Sequence, residues 1–188
     1  MKIAFPYNTF PGGFLKSMND SFISLGYETL TLNRYKSTAI NSLVRKSKYE
    51  PLVAFATMYK EKLYNEQFLK QILDYKPDIF LNFSGSGLFP STVKKIKENT
   101  SCLMICYIAD NPCDPDPRRD KYFPMTLQYY DVFLNPEPVW KKQINNLCSK
   151  PKIIDFFGGY DHEKFFPIEK NIITKEEFRE LECDASFT

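Results

Sequence analysis

Histidine is nearly missing from this sequence: His162 is the only one in 188 residues. A histidine-dependent triad or a multi-histidine metal site would have to use it, and no serine or cysteine nucleophile motif accompanies it. Excess charge is missing too. The 25 lysines and arginines stand against 23 acidic residues, for a formal charge of +2, and no basic block stands out. Sequence-independent nucleic-acid binding needs clustered charge that neutralises phosphates, so no nucleic-acid partner is expected. No segment approaches the ~18 apolar residues needed to span a bilayer, so no transmembrane segment is expected. The N-terminus reads as a first strand rather than a signal peptide. The G-x-G-x-x-G pattern is absent and no acidic residue ends the second strand, which excludes a dinucleotide fingerprint. The first strand ends in Pro6-Tyr7-Asn8 without paired acids, a poor fit to a phosphoacceptor receiver domain. There is no internal repeat and no low-complexity linker.

Five cysteines is an odd count. Cys102, Cys106 and Cys148 lie in apolar or helical contexts, so reduced thiols in a cytoplasmic protein are the simplest reading. Cys102 and Cys106 share one face of a strand, where such a pair is more often core than ligand.

What is present suits a packed domain. Hydrophobic residues make up 43% of the chain, with 17 Phe and 12 Tyr to fill a core. Short apolar runs alternate with helical patterns. Strands are expected over residues 2–7, 27–33, 79–83, 102–109, 131–135 and 152–157. Helices are expected over 14–25, stopped by Gly26, and over 38–46, 59–74, 91–99, 118–129 and 138–147. In the 59–74 helix, Leu63, Phe68, Leu69, Ile72 and Leu73 are expected on the buried side. Thr174-Lys175-Glu176-Glu177 is a capping-box pattern that opens a last helix through Leu181. The alternation implies an α/β, Rossmann-like, three-layer αβα lobe with a mainly parallel sheet of about six strands. Ligands of such sheets bind at the carboxyl ends of the strands, near a switch in strand order.

Five loops therefore matter. Pro11-Gly12-Gly13 follows the first strand. Its glycines let backbone N–H groups approach a ligand at a helix start, or simply serve a tight turn at positive φ. Ser84-Gly85-Ser86-Gly87 follows the third strand, offering two hydroxyls and free amides, or a flexible turn. The third loop is the richest, running from Asp110-Asn111-Pro112 through Asp114 and Asp116 to Arg118 and Arg119. Asp110 follows the most apolar strand, expected at the sheet centre. There a carboxylate suits a general base or a hydroxyl anchor, and its bland role is to cap the Asp-Asn-Pro turn. Asp114 and Asp116 form a D-x-D pair. Hard cations need several converging oxygens, and three prolines stiffen this stretch, so no metal is expected. Arg118 can meet a substrate phosphate or simply begin a solvated helix. Glu137 lies at the start of the helix after the fifth strand, as a cap or at the same crevice edge. The fifth loop, 158–162, follows the last strand.

The strings KPDIFLNFSGSG (76–87), CYIADNP (106–112), YYDVFLNPEPVWKKQI (129–144) and KIIDFFGGYDHEKFFP (152–167) resemble the first lobe of bacterial GT-B glycosyltransferases of the CgeB-like, spore-maturation group. The resemblance covers about residues 70–188 well and 1–33 loosely. Gly159-Tyr160-Asp161 with Phe165 and Pro167 resembles the hinge between the two GT-B lobes, and the tail ECDASFT resembles the opening of the second lobe. The resemblance implies a lobe over residues 1–168, with 169–188 as a tail leading towards a donor lobe that the chain does not include. It implies a sugar acceptor bound on this lobe and a nucleotide-sugar donor bound mainly on the other. The lobe alone is then expected to be inactive. Metal is usually not required in this group, and no cofactor is expected. Carried over by position, Gly12 and Gly13 match the glycine-rich first loop, Asp110 the strand-end acid and Asp161 the hinge aspartate. The competing reading is a stand-alone, non-catalytic Rossmann-like module that binds a ligand or a protein.

Overall fold

The structure is a computed structural model. It describes residues 1–7, 14–33, 50–83, 86–108, 122–134, 137–149 and 151–155, all within the unit Met1–Phe157. The expected helices over 38–46 and from Thr174 lie outside the described residues.

Six strands form one parallel sheet: β1 Lys2–Tyr7, β2 Glu28–Asn33, β3 Ile79–Phe83, β4 Leu103–Tyr107, β5 Val132–Leu134 and β6 Lys152–Ile154. Their spatial order is β2-β1-β3-β4-β5-β6, every neighbouring pair parallel. The helices are α1 Phe14–Ser24, α2 Glu50–Tyr75, α3 Pro90–Asn99, α4 Phe123–Thr126, which continues as a 3-10 turn over Leu127–Tyr129, and α5 Pro138–Leu147. This is the expected α/β, Rossmann-like architecture.

Strand alternation divides the core in two. Ile3, Phe5, Leu81 and Phe83 face α1, whose Leu15, Met18 and Phe22 recur at i, i+3 and i+7 and pack on them. Ala4, Phe80, Met104, Cys106 and Phe133 face the other way. They are covered by Phe68 and Ile72 of α2, Val93 and Ile96 of α3, Phe123 and Leu127, and Ile144 of α5. Phe5, Phe68, Phe80 and Phe133 are essentially fully buried, each stabilising the fold by roughly 1.5–3 kcal/mol. The sheet thus has a helix layer on each face, as its near-continuous apolar strands require.

Local signals explain the ends. Gly26 adopts φ 81° and closes α1. Its N–H donates to the Ile23 carbonyl at 2.9 Å, and the Tyr27 N–H donates to the Phe22 carbonyl at 3.0 Å, the paired bonds of a glycine-terminated helix. Lys76 ends α2 at φ 51°, and Pro77 follows.

Two expectations are corrected. α2 starts at Glu50, not at residue 59. Its first half makes little core contact, and Phe55, Met58 and Tyr59 are exposed, so burial periodicity could not reveal it. Of its five expected core residues, Phe68 and Ile72 are buried, while Leu63, Leu69 and Leu73 are half-buried. Asn65 is also buried.

Candidate functional site

The chain lays β2 on one side of β1 and then returns to place β3 on the other. In sheets of this kind ligands bind at the carboxyl ends of the strands beside such a reversal. β1, β3 and β4 are adjacent there, so the segments after Tyr7, Phe83 and Tyr107 start side by side. β4 lies in the middle pair of strands, as expected. Gly12, Gly13, Ser84, Gly85, Asp110 and Asn111 belong to these connections by chain order. They lie outside the described residues, as do Arg118 and Asp161. Ser86 and Glu137 are described.

Ser86 is 9% exposed, and its hydroxyl is buried without a hydrogen-bond partner. Its N–H donates to the Phe83 carbonyl at 3.3 Å, which turns the chain sharply off β3. Asn65 then fixes this turn from α2. Its Nδ2 donates to the Gly87 carbonyl at 3.1 Å and to the Glu61 carbonyl at 2.8 Å. Its Oδ1 accepts from the Phe89 N–H at 2.7 Å. One amide thus serves both a carbonyl and an N–H of the loop, holding the route from β3 into α3. Gly87 sits at φ 69°, which glycine adopts without cost.

Asn82, next to last in β3, is fully buried on the multi-helix face. Its Nδ2 donates to the Tyr130 hydroxyl, and its Oδ1 has no partner. With the amide flipped, the hydroxyl would meet the oxygen and the nitrogen would be left over. Either way a buried polar atom stays unsatisfied one residue before the end of β3, at a cost of roughly 1–3 kcal/mol.

An aromatic group stands on the opposite face of the same edge. Phe83 and Tyr107, the last residues of β3 and β4, are register partners and meet edge to face at 5.8 Å. Phe14, the first residue of α1, stacks on Tyr107 at 5.5 Å and 25° and meets Phe83 at 6.2 Å and 80°. Phe83 is buried, whereas Phe14 is 45% exposed.

Glu137 is the N-terminal flanking residue of α5, but its side chain makes no capping bond. It is exposed, and capping as its bland role is corrected. Two motif acids act at the opposite end of the sheet. Asp78 precedes β3, and its carboxylate accepts from the Lys2 N–H at 2.6 Å while its own N–H donates to the Lys2 carbonyl at 2.9 Å. Asp131 precedes β5 and repeats the arrangement with Met104, at 2.9 and 2.8 Å; Lys97 pairs with its other oxygen. Each acid pins the amino end of a neighbouring strand, a role in stability rather than chemistry.

The Cys106 thiol is buried and held well above its ordinary value of 9.0, first by burial and then by Cys148. Cys102 and Cys148 are also raised, chiefly by burial. These thiols are poor nucleophiles at neutral pH. Among the described residues no group of three or more His, Cys, Asp and Glu side chains could hold a metal ion, and no helix is long and apolar enough to cross a membrane.

Asn65 and the unsatisfied Asn82 were not singled out in the sequence. Asn82 had a readable signal, an amide inside an apolar strand. Asn65 had none, because polar residues are ordinary on a helix.

No protein-family model matches this sequence. No curated protein matches it either. Among solved structures, the apo form of the lipopolysaccharide outer core galactosyltransferase WaaB is similar, with a TM-score of 0.48 and 16% identity, covering 80% of this chain and 45% of that chain. The present chain therefore spans less than half the length of that protein.

Proposed function

We propose that this chain is the acceptor-side lobe of a nucleotide-sugar-dependent glycosyltransferase of GT-B architecture. The observation that carries the reading is the succession of motifs along the sheet. Lys76-Pro77-Asp78 leads into β3, Asp110 follows β4, Asp131 precedes β5, and Gly159-Tyr160-Asp161 with Phe165 and Pro167 follows β6. That is the succession in the CgeB-like group. Support also comes from the order reversal at β1 and β3, beside which sheets of this kind take their ligands.

In this reading Asp110 is the general base. Its carboxylate takes the proton of an acceptor hydroxyl while the oxygen bonds to the anomeric carbon of the donor sugar. The bond from that carbon to the nucleotide diphosphate breaks, and the diphosphate leaves with its electron pair. Gly12, Gly13, Ser84, Gly85, Ser86, Asn111, Arg118, Glu137 and Asp161 contact substrate. The nucleotide contacts belong to a donor lobe outside this sequence.

The test starts with the gene sequence after the codon for Thr188. The reading expects a second βα lobe encoded there. The chain joined to that lobe should release UDP or GDP from a nucleotide sugar in an acceptor-dependent way. Asp110→Asn should lower turnover by about 100-fold with donor affinity and fold intact. A stop codon at that point refutes the reading in favour of a non-catalytic binding module. Unchanged turnover in Asp110→Asn, with a lower melting temperature, would reduce Asp110 to a turn residue.

A further inference from the structure

The aromatic group at the carboxyl edge has a geometry that core packing alone does not explain. Phe83 and Tyr107 end adjacent strands and point to the α1 face. Phe14 lies over them from the first turn of α1. One ring is buried and one is half-buried, yet the outermost is 45% exposed. Phe14 is nevertheless fixed, because it stacks on Tyr107 at 25° and meets Phe83 at 80°. A held, open aromatic ring thus stands where β3 and β4 end, beside the order reversal. Such edges are where sheets of this kind take ligands, and binding sites there combine aromatic walls with a few placed polar groups.

We propose that Phe14, backed by Tyr107 and Phe83, is the platform on which a pyranose ring of the acceptor stacks, so that the acceptor is a saccharide. This rests on the acceptor-lobe reading above and names its substrate class. The face of an aromatic ring is electronegative, and the axial C–H groups on one face of a pyranose present the complementary partial charge. The sugar's opposite side and rim stay free for hydroxyl contacts and for attack on a donor. Ser86, three residues beyond Phe83, adds a buried hydroxyl without a partner to the same carboxyl edge. The nearby cation of α1 does not suit an anionic ligand, since Lys16 is paired with Asp20 at 2.6 Å. A flat aromatic aglycone would gain most from a slot that covers both its faces, whereas this platform offers one.

Saturation-transfer NMR on the full chain tests the assignment, with methyl β-D-galactopyranoside, methyl α-D-glucopyranoside and 4-nitrophenol as separate probes. At least one glycoside should bind, with saturation concentrated on the C–H protons of one sugar face. Phe14→Ala should weaken that binding by about tenfold, the scale of one aromatic contact. Phe14→Trp should restore it, and Ile23→Ala, at the far end of α1, should leave it unchanged. Phe14 is half exposed, so Phe14→Ala should keep the fold, checked by its melting temperature. Absence of glycoside binding by the wild type, equal binding by a folded Phe14→Ala, or binding of 4-nitrophenol alone would each overturn the proposal. The two readings fail separately. Sugar transfer with an unchanged acceptor KM in Phe14→Ala removes the platform and keeps the transferase. Glycoside binding through Phe14, with no nucleotide sugar consumed by the chain joined to the second lobe, does the reverse.

Discussion

Asn65 lets the architecture of the candidate site be tested without knowing the ligand. It is 3% exposed and spends its whole amide on the segment between β3 and α3 and on its own helix. Replacing it with leucine keeps the volume and removes the bonds to the Gly87 carbonyl and the Phe89 N–H. Gly87 is buried and Phe89 half-buried, so water replaces the lost partners poorly. At roughly 1–3 kcal/mol per hydrogen bond lost from a group shielded from water, with the half-buried N–H at the low end, the loss is about 2–4 kcal/mol. For a chain of this size that lowers the melting temperature by roughly 5–15 °C. Asn65→Asp separates the two ends of the amide. The carboxylate can still accept from Phe89, but its second oxygen faces the carbonyls of Glu61 and Gly87. It is then a buried charge against two acceptors, so its folded pKa must lie above the unfolded value. The folded state then binds the proton more tightly, and stability falls as pH rises from the unfolded carboxylate value towards neutrality. Calorimetric melts at pH 4.5 and pH 7 should show Asn65→Asp close to wild type at the lower pH and worse than Asn65→Leu at the higher. Asn65→Leu melting within 2 °C of wild type would refute the anchoring role (the expected fall being several times larger). Asn65→Asp melting above Asn65→Leu at pH 7 would refute the placement of two carbonyls against this end of the side chain.

Gly26→Ala should cost about 1 kcal/mol in a denaturant titration. A Cβ there meets nothing within 4 Å, so the whole effect comes from φ 81°, and a neutral result would refute the backbone argument. Asp131→Ala should destabilise by about 1–2 kcal/mol through the lost bond to the Met104 N–H. High salt should leave most of that loss in place, because the half-exposed ion pair with Lys97 contributes little. Cys106 should resist iodoacetamide in the native chain at pH 8, read by peptide mass spectrometry, and react on unfolding. Its folded pKa is raised above 9.0, so the neutral thiol's contribution is complete below pH 9 and is lost as pH rises towards the folded value. Stability that climbs above pH 9 would contradict this assignment.

Much of the frame is legible in single elements. The 14–24 helix shows itself because Leu15, Met18 and Phe22 share one face and Gly26 supplies the left-handed stop. The strands at 79–83 and 103–107 show themselves as short apolar runs between turn residues. α2 shows where that reasoning ends. Its first half buries little, so no periodicity announces it, and backbone bonding inside the helix carries it past the core. The acids of the KPD and YYDV strings look equally chemical in the sequence. Only strand pairing reveals that Asp78 and Asp131 serve Lys2 and Met104, backbone groups 76 and 27 residues away.

Local pattern is enough for the class of the fold, because alternating strand and helix patterns with apolar strands bury their faces only as a parallel sheet between helices. It also located the loops after β1, β3 and β4, since strand ends and turn residues are local features. Strand order, and with it which of those loops are neighbours, emerges only from long-range packing. That packing placed Phe14 of α1 against Phe83 and Tyr107, and Asn65 of α2 against the turn that carries Ser86. Those contacts join residues far apart in the chain, and they depend on which faces pack, which no local pattern encodes.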